Sequence, residues 1–329
     1  MSELYSADRT TVGGVEVVQL AHAASATEVA VAIGAGNIAY QFKVRGNHYV
    51  WFPFPGPAEL LEHPRTCGVP FLAPWANRLD GDSYWVNGKQ YTLNASLANF
   101  HRDSNGKPIH GLLRYSRDWE LVSAEADAAS AQVTSRLDFG LHPDLMAQFP
   151  LAHTIFMTYR LSGARLEVET VLQNQAAGPL PVAIGYHPYF QLNDTPRDQW
   201  KVHLAARSHL ALNEQLIPTG ERKPIEFRDP HLLQDGPLDD VFSDLIRGTD
   251  GRARFRVQGR EQSITVSYGP KYPVAVVFAP PGQNFICFEP MTAVTDAFNL
   301  AHAGVFPGLQ SVPVGGEWRE SFWIEVQAP

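Results

Sequence analysis

Apolar and polar residues alternate with a period of two along this chain, and that pattern leaves little choice of architecture. In the stretch 154–161, Ile155, Met157, Tyr159 and Leu161 take one face while Thr154, Thr158 and Arg160 take the other, with Phe156 as the exception. Leu166, Val168, Thr170 and Leu172 repeat the pattern against Glu167, Glu169 and Gln173. Successive strand side chains point to opposite faces, so each run offers one face to a core and one to water. Further strand-like runs cover Glu28–Ile33, Ile38–Val44, Ser263–Tyr268, Val274–Phe278, Phe285–Glu289 and Ser321–Val326. Turn chemistry separates them, as at Ser162-Gly163, Pro280-Pro281-Gly282-Gln283-Asn284 and Val314-Gly315-Gly316. Helical periodicity is confined to single turns at Pro143–Gln148 and Ala293–Leu300, and strands do not alternate with helices. The expectation is an all-β chain of stacked antiparallel sheets, with residues 1–329 forming one domain. The Pro-rich, polar segment Thr219–Asp240 reads as a long loop-like excursion, the kind that carries function in a compact domain.

Charge and cysteine usage narrow the function classes. The chain carries 26 Lys and Arg against 34 Asp and Glu, a net charge of −8. Nucleic acid and anionic membranes both demand a basic face, so neither is expected as a partner. Cys67 and Cys287 cannot build a disulfide framework and read as buried thiols of a reducing compartment. There is no secretory pattern near Asp8 and Arg9 and no 18-residue apolar run, so the expected protein is soluble and cytoplasmic.

Several familiar motifs fail on their context. Gly34-Ala35-Gly36-Asn37-Ile38-Ala39 fits a dinucleotide fingerprint in letters only, because a strand-like run and not a helix follows it; it reads as a hairpin turn. No His pair sits at i, i+2 or i, i+4 and no C-x-x-C exists, so no metal site is expected. A nucleophile elbow and a P-loop are also absent.

Three clusters carry more promise. Arg78 lies in the nearly uncharged stretch Pro70–Leu79, where a partly buried guanidinium must have a partner, structural or otherwise. His110-Gly111 follows the polar turn Asp103–Pro108, and the glycine permits close backbone approach. His187 sits inside Gly185-Tyr186-His187-Pro188-Tyr189-Phe190, where rings flank a directed hydrogen-bonder, the composition that suits a sugar. Two carboxylates join them. Asp239 lies in Leu238-Asp239-Asp240-Val241-Phe242, and Glu289 closes the apolar run Phe285–Phe288, where desolvation would raise its pKa and make it a better base.

In this order and spacing, Asn77-Arg78-Leu79, His110-Gly111, the Gly185–Phe190 cluster, Leu238-Asp239-Asp240-Val241-Phe242 and the strand ending at Glu289 resemble the aldose 1-epimerase (galactose mutarotase) family. The resemblance covers residues 70–290. It implies a large antiparallel β-sandwich and interconversion of the α and β anomers of a free aldose, a small-molecule sugar, without a cofactor. It further implies that Glu289 is the general base at the anomeric hydroxyl and His187 the general acid at the ring oxygen. Arg78 and His110 would bind and polarise the sugar, and Asp239 would accept hydrogen bonds from ring hydroxyls. The sequence departs from the better-known pattern at Pro290-Met291-Thr292 and at Asp239-Asp240, so Asp240 could share the role given to Asp239.

Three other readings of the same residues stay open. A hexose-6-phosphate 1-epimerase would use arginines near the motifs, namely Arg65, Arg78, Arg102 and Arg114. A sugar-binding module would use the site without catalysis. A glycoside hydrolase would employ Asp239 and Glu289 as its carboxylate pair and leave both histidines idle.

Overall fold

The computed structural model describes residues 4–226 and 228–328. The alternating runs become strands as their pattern dictates. In His153–Ser162, the side chains of Ile155, Met157, Tyr159 and Leu161 are fully buried, while Phe156 is only partly covered. Leu166, Val168, Thr170 and Leu172 are buried in the same way along the antiparallel partner strand Arg165–Asn174.

These two strands lie in a nine-stranded sheet. Its order is Glu120–Ala126, Ala131–Asp138, His153–Ser162, Arg165–Asn174, Glu317–Gln327, Ser263–Tyr268, Ala253–Gln258, Lys201–His203 and His231–Leu232. An eight-stranded sheet runs Pro218–Pro224, Ala206–Leu212, Leu238–Leu245, Val274–Ala279, Ile286–Met291, Gly185–Tyr186 and Phe71–Leu72, with Tyr189–Phe190 also paired to Ile286–Met291. The chain begins with a five-stranded antiparallel meander between Tyr5 and His48. Within it the Gly34–Gly36 segment forms the expected hairpin turn, with Ala32 opposite Ile38.

The two large sheets stack face to face. Phe255 of the nine-stranded sheet packs against Phe288 and Phe242 of the eight-stranded one, with ring centroids 6.2 and 6.5 Å apart. Tyr186 packs on Phe322 at 4.7 Å and shares a buried hydrogen bond with Thr170. Each of these aromatic side chains contributes on the order of 1.5–3 kcal/mol by leaving water. The stacking also fixes the site: Phe288 faces the inter-sheet core, so its strand neighbours Cys287 and Glu289 must face the opposite side of the sheet.

Two expectations change. Thr219–Asp240 is not one loop: it contains most of the strand Pro218–Pro224, the two-residue strand His231–Leu232 and the start of Leu238–Leu245. Pro218–Pro224 sits at a sheet edge and six of its seven residues are exposed, so it has no buried face to produce alternation, and edge positions tolerate proline. The single helical turn expected at Ala293–Leu300 forms at Ala297–His302, whereas Pro143–Gln148 is helical as expected. No helix among the described residues is long and apolar enough to cross a membrane.

Candidate functional site

Glu289 is buried although it lies outside the inter-sheet core, because loops cover that face of its sheet. His187 lies in the link between Gly185–Tyr186 and Tyr189–Phe190, two short strands that both pair with the Glu289 strand. The His187 amide donates to Pro70 O at 3.1 Å and the Tyr189 amide to Gly68 O at 2.8 Å, which pins the link to the covering segment. The outcome is a direct contact: His187 Nε2 lies 3.2 Å from Glu289 Oε1.

His110 reaches the same point by a different route. Its backbone is left-handed (φ +63°), as is that of Gly111 (φ +64°). The His110 amide donates to Asn77 O at 2.8 Å, and the Leu112 amide to Ala73 O at 2.7 Å. A side chain at residue 111 would place Cβ 2.1 Å from Ala73 O, so only glycine allows this approach. The His110 ring then stands edge-on to His187, with centroids 5.3 Å apart. Arg78 is bridged to Ile109 in the same lattice, and its Nε donates to Asp103 Oδ2 at 2.5 Å.

Register resolves the two aspartates. Asp239 is opposite Phe278, which is opposite Cys287, and directly paired residues share a face. Asp239 therefore lies on the same face as Glu289. Asp240 points the other way and meets His209 Nδ1 at 3.3 Å. Aromatic rings line the approach. Tyr189 stacks on His187 at 4.7 Å, Phe285 lies 4.9 Å from Tyr189, and Trp51 lies 4.7 Å from Phe285.

The electrostatics follow from burial. Desolvation, reinforced by Asp239 and opposed by Arg78, lifts the Glu289 carboxyl well above its ordinary range. Desolvation, reinforced by the Arg114 charge, pushes His187 down to about 3. Burial thus disfavours the charged form of both groups across the 3.2 Å contact. Desolvation and the positive charges around it also hold His110 well below its usual value. Asp239 reaches solvent, yet desolvation, opposed by Arg78 and aided by Asp240, raises it. Burial acts to raise Asp103, but the hydrogen bonds from Arg78 and the Lys107 amide outweigh it and hold it low. Three buried polar atoms at the centre have no protein partner: His110 Nδ1, His187 Nδ1 and Glu289 Oε2.

Sequence reasoning missed several members. Asp103, the partner that Arg78 required, lies 25 residues away in a turn that looked merely polar. Cys287, two residues before Glu289 on a strand, was readable from period two; its Sγ lies within 4.8 Å of donor atoms of His187 and Glu289. These three side chains could hold a metal ion, although burial raises the thiol well above its normal pKa and makes it a poor ligand. Of the other arginines considered, Arg102 is paired with Asp82 at 2.6 Å. Arg65 lies 4.9 Å over Trp51, and Arg114 donates to Thr66 Oγ1 at 2.6 Å. A separate hollow of about 400 Å³, lined by Leu210, Leu245, Val274 and Phe306 among others, includes none of the side chains that converge on Glu289.

Comparison with known proteins adds independent findings. A family model described as aldose 1-epimerase matches residues 16–325. An uncharacterized Escherichia coli K12 protein, YihR, is 31% identical over 59% of this chain and 56% of its own length. Human galactose mutarotase is 29% identical over 46% of this chain and 41% of its own length, so the match spans under half of that protein. A galactose mutarotase-like protein from Clostridium acetobutylicum superposes with a TM-score of 0.87 over 99% of both chains at 17% identity, which is a likeness of fold.

Proposed function

The chain belongs to the aldose 1-epimerase family, and on that premise we propose that it interconverts the α and β anomers of an aldose through the buried Glu289–His187 pair. The observation that carries this reading is that contact: a buried carboxyl group and a buried imidazole 3.2 Å apart, on a face lined by rings and polar groups.

Anomer exchange needs one proton removed from the O1 hydroxyl and one delivered to the ring oxygen O5, which are two bonds apart through C1. In the reactive form, Glu289 is a carboxylate and His187 an imidazolium. This form differs from a neutral carboxyl–imidazole pair only by transfer of one proton. Glu289 takes the O1 proton, the C1–O5 bond breaks, C1=O1 forms, and His187 protonates O5. The pair finishes as carboxyl and neutral imidazole, the state that burial favours. Rotation about C1–C2 followed by the reverse transfers closes the ring on the other face. No electron, acyl or phosphoryl group moves, so the scheme needs no cofactor. Arg78, held by Asp103, and His110, held neutral, supply hydrogen bonds to the sugar, and Asp239 accepts from ring hydroxyls. Trp51 and Phe278, both only partly buried beside Tyr189 and Phe285, offer apolar faces to the C–H side of a pyranose. Two unpaired buried thiols suit a reducing compartment, the cytoplasm.

Polarimetry on freshly dissolved α-glucose and α-galactose tests the reading. The protein should accelerate the approach to anomeric equilibrium, and His187→Ala should reduce that acceleration by about 10²–10⁴-fold. A protein that binds sugar but leaves the spontaneous rate unchanged would be a binding module instead. Release of reducing ends from a disaccharide would make it a hydrolase.

A further inference from the structure

Asp296 is buried, and both its main chain and its carboxyl group serve the segment that carries Arg78. It stands past the end of the Glu289 strand, Ile286–Met291, at the entry to the helical turn Ala297–His302. Its backbone is left-handed (φ +58°), and its amide donates to Arg78 O at 2.9 Å. Its Oδ1 accepts from the Asp80 amide, also at 2.9 Å. One residue thus clamps both peptide units that follow Arg78. The unit before Arg78 is held separately, by the His110 amide on Asn77 O at 2.8 Å. An aspartate at the start of a helix ordinarily caps it, but this side chain makes no capping bond. The same Oδ1 instead takes a second hydrogen bond, from Asn299 Nδ2 at 2.7 Å.

The clamp refers Arg78 to the catalytic strand. Glu289 and Asp296 belong to one continuous segment, and Thr292 between them anchors it, with Oγ1 donating to Val182 O at 3.0 Å and Ile184 O at 2.9 Å. The guanidinium is fixed at its far end by Asp103 and by Asn77 Oδ1, 3.0 Å from Nη1. Arg78 is therefore held at its side chain by one set of groups and at its main chain by another. Desolvation, aided by Asp80 and opposed by the two hydrogen bonds and by Lys107, raises the Asp296 carboxyl to about 6. The charged groups that face it are Asp80, on the Arg78 segment, and Lys107, from the turn Asp103–Pro108, and these two pair with each other. On its own helix the neighbour is the neutral amide of Asn299.

We propose that Asp296 is a positioning residue for the reaction, acting through the two peptide units after Arg78 to set that guanidinium against the sugar. This rests on the sugar-binding role given above to Arg78. A carboxylate holds the Asp80 amide more strongly than a neutral carboxyl does, so the clamp loosens when Asp296 takes a proton.

The test follows KM and kcat for mutarotation of α-glucose over about pH 5 to 8, in the wild type, Asp296→Asn and Arg78→Gln. Wild-type KM should rise roughly fivefold as pH falls through the Asp296 midpoint, the difference between a charge-assisted and a neutral hydrogen bond, with kcat changing less. Asparagine keeps the acceptor for Asp80 and Asn299 but cannot titrate. Asp296→Asn should therefore lack the step and show the wild type's acid-side KM throughout. Arg78→Gln should bind more weakly at every pH and also lack the step, which a merely structural aspartate would not require. A flat wild-type KM, a step that survives in Asp296→Asn, or a step that survives in Arg78→Gln overturns the proposal. The Arg78 Nε–H resonance of the sugar-free protein, assigned by its loss in Arg78→Lys, separates this failure from failure of the reaction itself. It should shift with a midpoint near 6 in the wild type and stay in place in Asp296→Asn. That shift without turnover of any sugar would sink the reaction and keep the coupling. Turnover with neither the KM step nor the shift would do the reverse.

Discussion

Replacing Gly111 by alanine should cost far more than the same change at another left-handed glycine, and the difference measures how tightly the covering loops are locked. Gly111 has φ +64°, and an added Cβ would lie 2.1 Å from Ala73 O and 2.4 Å from Ala73 C. The left-handed conformation alone costs alanine about 1–2 kcal/mol. Relieving a backbone clash by shifting two segments adds about 1–3 kcal/mol, as in overpacked cores. The shift also strains the Leu112 N to Ala73 O bond, 2.7 Å long, worth about 1 kcal/mol. The total is about 3–6 kcal/mol. Gly163 provides the control, since it has φ +62° and nothing within 4 Å of an added Cβ. Gly163→Ala should therefore cost only the conformational part, about 1–2 kcal/mol. Urea unfolding followed by far-ultraviolet circular dichroism, with both variants measured against the wild type, reads both numbers. Gly111→Ala should also lose mutarotation beyond what its stability explains, because His110 occupies the same turn. Equal destabilisation of the two variants, within about 0.5 kcal/mol, would show that the loop lock is not rigid and that the reasoning about His110 placement is wrong.

Other outcomes follow from the same geometry. Asp103→Asn removes the anion that orients Arg78 and should raise KM by about tenfold with a smaller effect on kcat, as read from initial rates. Activity needs one proton in the Glu289–His187 pair. The acid limb should thus appear near pH 3, where His187 takes a second proton, and the basic limb should lie well above the ordinary carboxylate range, where Glu289 loses the only one. Asp239→Asn should weaken binding and, by removing a charge that raises Glu289, move the basic limb to lower pH in a pH–rate profile. A limb that stays in place or moves upward would contradict that coupling.

Much of this is legible in the sequence. Ile155, Met157, Tyr159 and Leu161 announced their strand because one face of it is buried, and Glu289 stood out as a carboxylate ending an apolar run. Pro218–Pro224 was not readable as a strand, since a solvent-exposed edge buries neither face and leaves no period. Chain-distant partners were equally silent: nothing local links Asp103 to Arg78. Whether Asp239 or Asp240 faces Glu289 depended on the register with Val274–Ala279, which only the sheet supplies.

The most direct measurement is the mutarotation rate of the Glu289→Gln protein on a fresh α-aldose, followed by polarimetry beside the wild type. Glutamine keeps the shape and a hydrogen bond to His187 but cannot accept the O1 proton. The catalysed rate should fall at least about 10²-fold while the fold, read by circular dichroism, is retained. A Glu289→Gln protein that turns over within about threefold of the wild type would contradict the central role of the shared proton.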